Sequence, residues 1–140
     1  MGLFPVTAQL EPSPAEGDLT IAGCDLSDLA SKHGTPLYLY DQATLESAVR
    51  TYNASLARYY PGPAGLTYAG KAFLCLAMAQ WARGQGLWLD CTGAGEIQIA
   101  VAAGVEPSSI VVHGVNKSGA DLAATLAHAG TIVVDNPIEL

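Results

Sequence analysis

Positive charge is scarce in this sequence. Six of its 140 residues are Lys or Arg against 13 Asp and Glu, a net charge of −7, with a pI near 4.6. That balance repels phosphate backbones, so nucleic-acid binding through a basic surface is excluded. Long apolar runs are missing as well. The longest clean one, Ala72–Ala79, falls far short of the ~18 to 20 residues of a membrane span. No basic residue precedes Lys32, so no secretory signal is expected, and Val6 breaks the myristoylation pattern after Gly2. The three cysteines, Cys24, Cys75 and Cys91, are odd in number and widely spaced, unlike a disulfide framework. His33, His113 and His128 fall on different elements, so no structural zinc or other metal is expected. These absences point to a reducing, cytoplasmic setting.

What the sequence holds in quantity is apolar. Half of its residues are hydrophobic and 14% are charged, which excludes a disordered segment. A single domain of this length buries roughly 68% of its unfolded surface, enough for a core.

The first 34 residues read as an N-terminal arm followed by a short strand and helix. Residues 1–17 are rich in Pro, Glu, Gly and Ala without periodicity and are expected to form a loose arm. Asp18–Ile21 reads as a strand, and Asp25 as the cap of a short helix stopped by Gly34. Leu37–Tyr40, apolar and aromatic after Thr35-Pro36, reads as another strand. Asp41 then caps a longer helix with Leu45, Ala48, Val49, Tyr52 and Leu56 at helical period, ended by Pro61-Gly62-Pro63.

Beyond that point the rhythm changes. Apolar runs begin at Leu66, Leu87, Ile110 and Thr131, about 22 residues apart, and helical stretches between them close on Gly84, Gly104 and Gly130. Ser118 with Asp121 three residues on resembles a capping box, and Leu122, Leu126 and Ala129 share a helix face. The L-x-x-L-x-L pattern of leucine-rich repeats is absent. Alternating strands and helices predict an α/β fold with a parallel sheet. Four such steps are half of a (β/α)8 barrel, which takes ~250 residues when complete.

Several residues in these steps could carry chemistry. Tyr68-Ala69-Gly70-Lys71-Ala72-Phe73 sets Lys71 at the carboxyl end of a strand, the catalytic face of barrel enzymes. Burial in an apolar run would favour the neutral amine, a nucleophile able to form a Schiff base with an aldehyde. The plainer reading is a lysine that snorkels past the strand end into water. Asp90 ends the next strand and Glu96 opens the next helix, both on the same rim. They could orient the lysine, or serve as a helix cap and as an acid favoured by the helix dipole. His113, in His113-Gly114-Val115-Asn116-Lys117-Ser118, could meet a planar ligand or be a satisfied strand-end residue. Gly93-Ala94-Gly95 fails as a dinucleotide motif, because Gln98 stands where a third glycine is needed.

Taken together, the segments Tyr68–Phe73, Leu89–Glu96, His113–Ser118 and Val133–Asn136, in this order and spacing, resemble diaminopimelate decarboxylases. Gly34–Asp41 is similar to that family's entry to the barrel, so the resemblance runs from about Leu19 to Leu140. It implies the N-terminal half of a (β/α)8 barrel binding pyridoxal 5'-phosphate, with 1–34 as the arm and 35–140 as the first, truncated part of the barrel. By resemblance, Lys71 carries the cofactor, Asp90 and Glu96 lie near that lysine, and His113 sits on the cofactor rim. The implied reaction is decarboxylation of meso-2,6-diaminopimelate to L-lysine by a homodimer. Decarboxylases of ornithine, arginine or carboxynorspermidine, and a non-catalytic truncated paralogue, are the alternatives; a racemase on this fold is disfavoured by the lysine's context. Gly70 and Thr92–Gly95 depart mildly from the family pattern. The family's phosphate-binding glycine loop, ring-nitrogen glutamate and product-protonating cysteine would lie beyond Leu140, so these 140 residues alone are expected to be inactive. The apolar edge Thr131–Val134 is expected to favour association.

Overall fold

The computed structural model describes residues 4–11 and 18–140, which divide into two compact units, Met1–Tyr59 and Tyr60–Leu140. Among the described residues, no helix is long and apolar enough to cross a membrane.

The first unit is a small antiparallel sheet with two helices. Strands β1 (Ala8–Glu11), β2 (Asp18–Ile21) and β3 (Cys24–Asp25) lie in that order. The register runs from Ala8 opposite Ile21 to Glu11 opposite Asp18. The expectation of a loose arm therefore fails at residues 8–11. Backbone groups there are satisfied by pairing with β2, which needs no apolar period; residues 4–7 form a bend and turn without a strand, and 1–3 and 12–17 lie outside the described residues. Helix α1 (Leu26–His33) starts where Asp25 accepts from the Ser27 and Asp28 amides, and Gly34 caps its end. Helix α2 (Gln42–Tyr59) starts at Asp41, whose Oδ2 accepts from both the amide and the hydroxyl of Thr44. The Thr44 hydroxyl bond comes first among the causes that hold the Asp41 carboxyl below its ordinary range. Of the five apolar positions expected on one face of α2, Val49 is buried, Leu45, Ala48 and Leu56 are half-buried, and Tyr52 is exposed.

Leu37–Tyr40 is not a strand. The segment is exposed and belongs to neither sheet. Its composition suits a strand, but a strand exists only where a neighbour accepts its hydrogen bonds.

The second unit follows the predicted alternation. Strands β4 (Thr67–Ala69), β5 (Trp88–Cys91), β6 (Ile110–Val112) and β7 (Thr131–Ile132) form a parallel sheet in chain order. Between them run α3 (Leu76–Gly84), α4 (Ala94–Ala102) and α5 (Gly119–His128). Successive strand residues point to opposite faces, and burial follows that alternation. Leu89, Cys91, Ile110 and Val112 are fully buried on the face that meets the helices, while Asp90 and Val111, level with each other, are half-buried on the other face. Ile97 and Ala100 of α4 complete the core, together with Ala79 and Ala82 of α3. This is the N-terminal part of a (β/α)8 barrel, as the sequence predicted.

The capping box at the start of α5 is present, with Ser118 and Asp121 bonded reciprocally. The shared face of that helix is not a core face: Leu126 is 83% exposed and Thr125 is the buried residue. Within the described residues, α5 packs against α4.

Candidate active site at the rim of the parallel sheet

Parallel strands bring all their carboxyl ends to one edge, and the loops leaving that edge assemble the site. At β4 the chain turns through one 3-10 turn, Gly70–Ala72, that holds Lys71. The Tyr68 hydroxyl donates to the Phe73 carbonyl oxygen at 2.6 Å and closes this turn from both ends. Lys71 itself is exposed and takes part in no ion pair among the described residues. The burial expected from its apolar neighbours is absent, because the turn lifts Lys71 clear of the strand. The amine is open to a ligand.

Gly70 explains how close this turn comes to its neighbour. A Cβ there would stand 2.8 Å from the Asp90 carbonyl oxygen and 3.1 Å from Glu96 Oε2. Only a residue without a side chain lets the lysine turn settle against the end of β5. The mild sequence departure at this position is therefore a tight contact with both predicted acidic residues.

Asp90 is level with Ala69 in the register. Its Oδ1 is enclosed and lacks a hydrogen-bond partner among the described residues. Leaving such an acceptor unsatisfied costs free energy, so a donor is expected to meet it in the working protein. Glu96, in the first turn of α4, accepts the Thr92 amide through Oε2 at 2.7 Å and closes the loop after β5. Between them sits Cys91, whose thiol is pushed up to about 12, by burial first and then by the carboxylates of Glu96 and Asp90. That thiol stays protonated and inert near neutral pH.

His113 is exposed just past β6, and its amide extends the ladder by donating to the Cys91 carbonyl oxygen at 2.9 Å. Gly114 follows against the Thr92 carbonyl, where a Cβ would lie only 2.0 Å from the oxygen. All four predicted site residues thus lie on one rim. No hydrogen bond or ion pair recorded among the described residues joins Lys71 to Asp90, Glu96 or His113.

The sequence reading missed a second set of rim residues. Lys117 is buried, its side chain fully enclosed, with Nζ 2.8 Å from Glu139 Oε2 and 3.2 Å from Asp135 Oδ2. Asp121 reaches back to accept the Ala94 amide at 2.8 Å while its other oxygen holds Ser118. Part of the signal was available: Asp121 and Glu139 each fall in the first turn of the helix or 3-10 turn that follows a strand.

Four parallel βα steps thus carry an open lysine and an enclosed carboxylate at their carboxyl rim, the face on which barrel enzymes place their sites. The chain belongs to the pyridoxal-dependent decarboxylases, whose pyridoxal binding domain matches residues 42–140. It is 37% identical to the diaminopimelate decarboxylase of Synechocystis sp., over 99% of this chain and 30% of that protein. It is 43% identical to that of Bacillus methanolicus, over 89% of this chain and 29% of that protein. Among solved structures, the diaminopimelate decarboxylase of M. jannaschii is similar with a TM-score of 0.79 and 26% identity, covering 91% of this chain and 30% of that one. That of Helicobacter pylori, complexed with L-lysine, is similar with a TM-score of 0.63 and 30% identity, covering 81% and 28%. The chain thus spans about 30% of the length of these relatives.

Proposed function

We propose that this chain is the lysine-bearing part of a diaminopimelate decarboxylase, which converts meso-2,6-diaminopimelate to L-lysine and CO₂. The carrying observation is the exposed Lys71 amine on a turn clamped by Tyr68 and Phe73, which Gly70 packs against the backbone of Asp90, whose own Oδ1 is unpartnered among the described residues. The reading is supported by relatives of that name at 37% and 43% identity. Pyridoxal phosphate, when bound, supplies an electron sink for the pair left behind as CO₂ departs.

The chain's own residues divide the remaining work. Lys71 offers the amine that attaches the cofactor. Asp90, with an oxygen free to accept, holds a donor at the level of that turn. Glu96 keeps the loop after β5 closed against Gly70, and His113 presents an exposed ring edge on the same rim. We further propose residues 35–140 as the barrel portion, a cytoplasmic setting and a homodimeric full-length protein.

The test is covalent labelling. Mixing the chain with pyridoxal phosphate, reducing with borohydride and mapping the peptides is expected to place the label on Lys71, and Lys71→Ala is expected to abolish it. Label on Lys32 or Lys117 with none on Lys71 overturns the assignment.

A further inference from the structure

The loop that carries His113 is held by an ion cluster that the chemistry above does not use. Lys117 donates from Nζ to Glu139 Oε2 and Asp135 Oδ2, and its own amide reaches Glu139 Oε1 at 3.4 Å. Glu139 also accepts the Asp135 amide at 3.0 Å and the Asn136 side-chain amide at 3.3 Å. The carboxylate is therefore saturated, 2% exposed, and faces a lysine side chain with no accessible surface. Hydrogen bonding from Lys117 is the largest cause that holds the Glu139 carboxyl below its ordinary range, and the reciprocal bond raises Lys117.

Burying such charges brings little net stability, because desolvation offsets their attraction. What a saturated buried pair fixes is geometry. Here it fixes one rim loop against the next. A similar tie occurs one step earlier in the chain, where Asp121, in the first turn of α5, accepts the amide of Ala94, the first residue of α4. Glu139, in the 3-10 turn Pro137–Glu139 after β7, does the same for Lys117. Both ties lie on the C-terminal side of the loop; ahead of them the His113 amide donates to the Cys91 carbonyl oxygen at 2.9 Å, Gly114 packs against the Thr92 carbonyl, and Asn116 adopts a left-handed backbone at φ 55°. The β6 ladder thus holds the loop at His113 and the cluster holds it at Lys117, while His113, Val115 and Asn116 are exposed and Gly114 is buried.

We propose that Lys117, through Glu139 and Asp135, is a positioning residue that sets the place of the His113–Asn116 loop on the cofactor rim. This rests on the reading of that rim as a pyridoxal site. The cluster touches no reacting atom; it acts through the loop.

The experiment compares the chain with Lys117→Met, which keeps length and removes charge, and with Glu139→Gln. Two readouts are taken where circular dichroism shows each variant folded: NMR resonances of the His113 ring and Asn116 side chain, and the pyridoxal phosphate concentration that half-saturates borohydride-fixed label on Lys71. Displaced resonances and about a tenfold higher half-saturating concentration are expected, within the usual range of coupling between sites. Folded variants with unmoved resonances and half-saturation within about twofold of the parent would make the cluster merely structural and overturn the proposal. If the parent takes no label on Lys71, the pyridoxal reading fails, and the resonances alone still decide the positioning role. Should Lys117→Met not fold, Glu139→Gln decides by the same readouts.

Discussion

The two compact units are built on different economies of contact. In Met1–Tyr59 the buried residues among those described are Val49 and Asp41, and order comes from ladder bonds and helix caps. In Tyr60–Leu140 two parallel strands alone contribute four fully buried side chains, Leu89, Cys91, Ile110 and Val112. Parallel strands with helices laid along them enclose an apolar layer. A short antiparallel sheet with one face open does not. The first unit is thus polar-bonded, and the second is packed.

The sharpest way to test that contrast is to remove core volume from each side. Ile97→Ala in α4, where the parent side chain has no accessible surface, is expected to cost about 2–5 kcal/mol. Val49→Ala in α2 removes two methyl-sized groups and is expected to cost about 1–2 kcal/mol. Urea unfolding followed by circular dichroism measures both; an equal or larger loss at Val49 would break the contrast. Caps come next in size. Asp25→Ala strips the acceptor from the Ser27 and Asp28 amides and is expected to cost about 1 kcal/mol, read as lost helicity and a lower urea midpoint.

The mildest perturbation is acid. Asp121 and Glu139 in the second unit and Asp41 in the first all have carboxyls held below their ordinary range, mainly by hydrogen bonds from Ser118, Lys117 and Thr44 respectively. A lowered carboxyl contributes stability that is present above its unfolded pKa and lost as pH falls through the folded value. Stability is therefore expected to hold down to about pH 4.5 and then to fall. Asp121→Asn should flatten that fall, and an unchanged acid limb would remove Asp121 from the account.

The parallel half of the fold was legible because its period was regular. Apolar runs at Leu66, Leu87, Ile110 and Thr131 announced each strand, and Ser118 with Asp121 announced a helix start. The first half deceived in both directions. Leu37–Tyr40 looks like a strand and is exposed coil, while Ala8–Glu11, without a pattern, is a strand. Pairing is decided by a neighbour, which local composition does not reveal. At the rim, the strand ends expected from the sequence bring Lys71, Asp90, Glu96 and His113 to one edge. The exposure of Lys71 was not legible, because its apolar neighbours suggested burial and the 3-10 turn reversed it. Lys117 escaped notice because the partner that buries it, Glu139, is distant in sequence and looks like an ordinary surface acid.

Cys91 gives the packed half a clock. Its thiol is enclosed and stays protonated to about pH 12, so an alkylating reagent reaches it only while β5 is open. Cys24 is exposed and reacts at the rate set by the reagent. The ratio of the two alkylation rates in one sample reports the fraction of time the sheet stands open, with no residue changed.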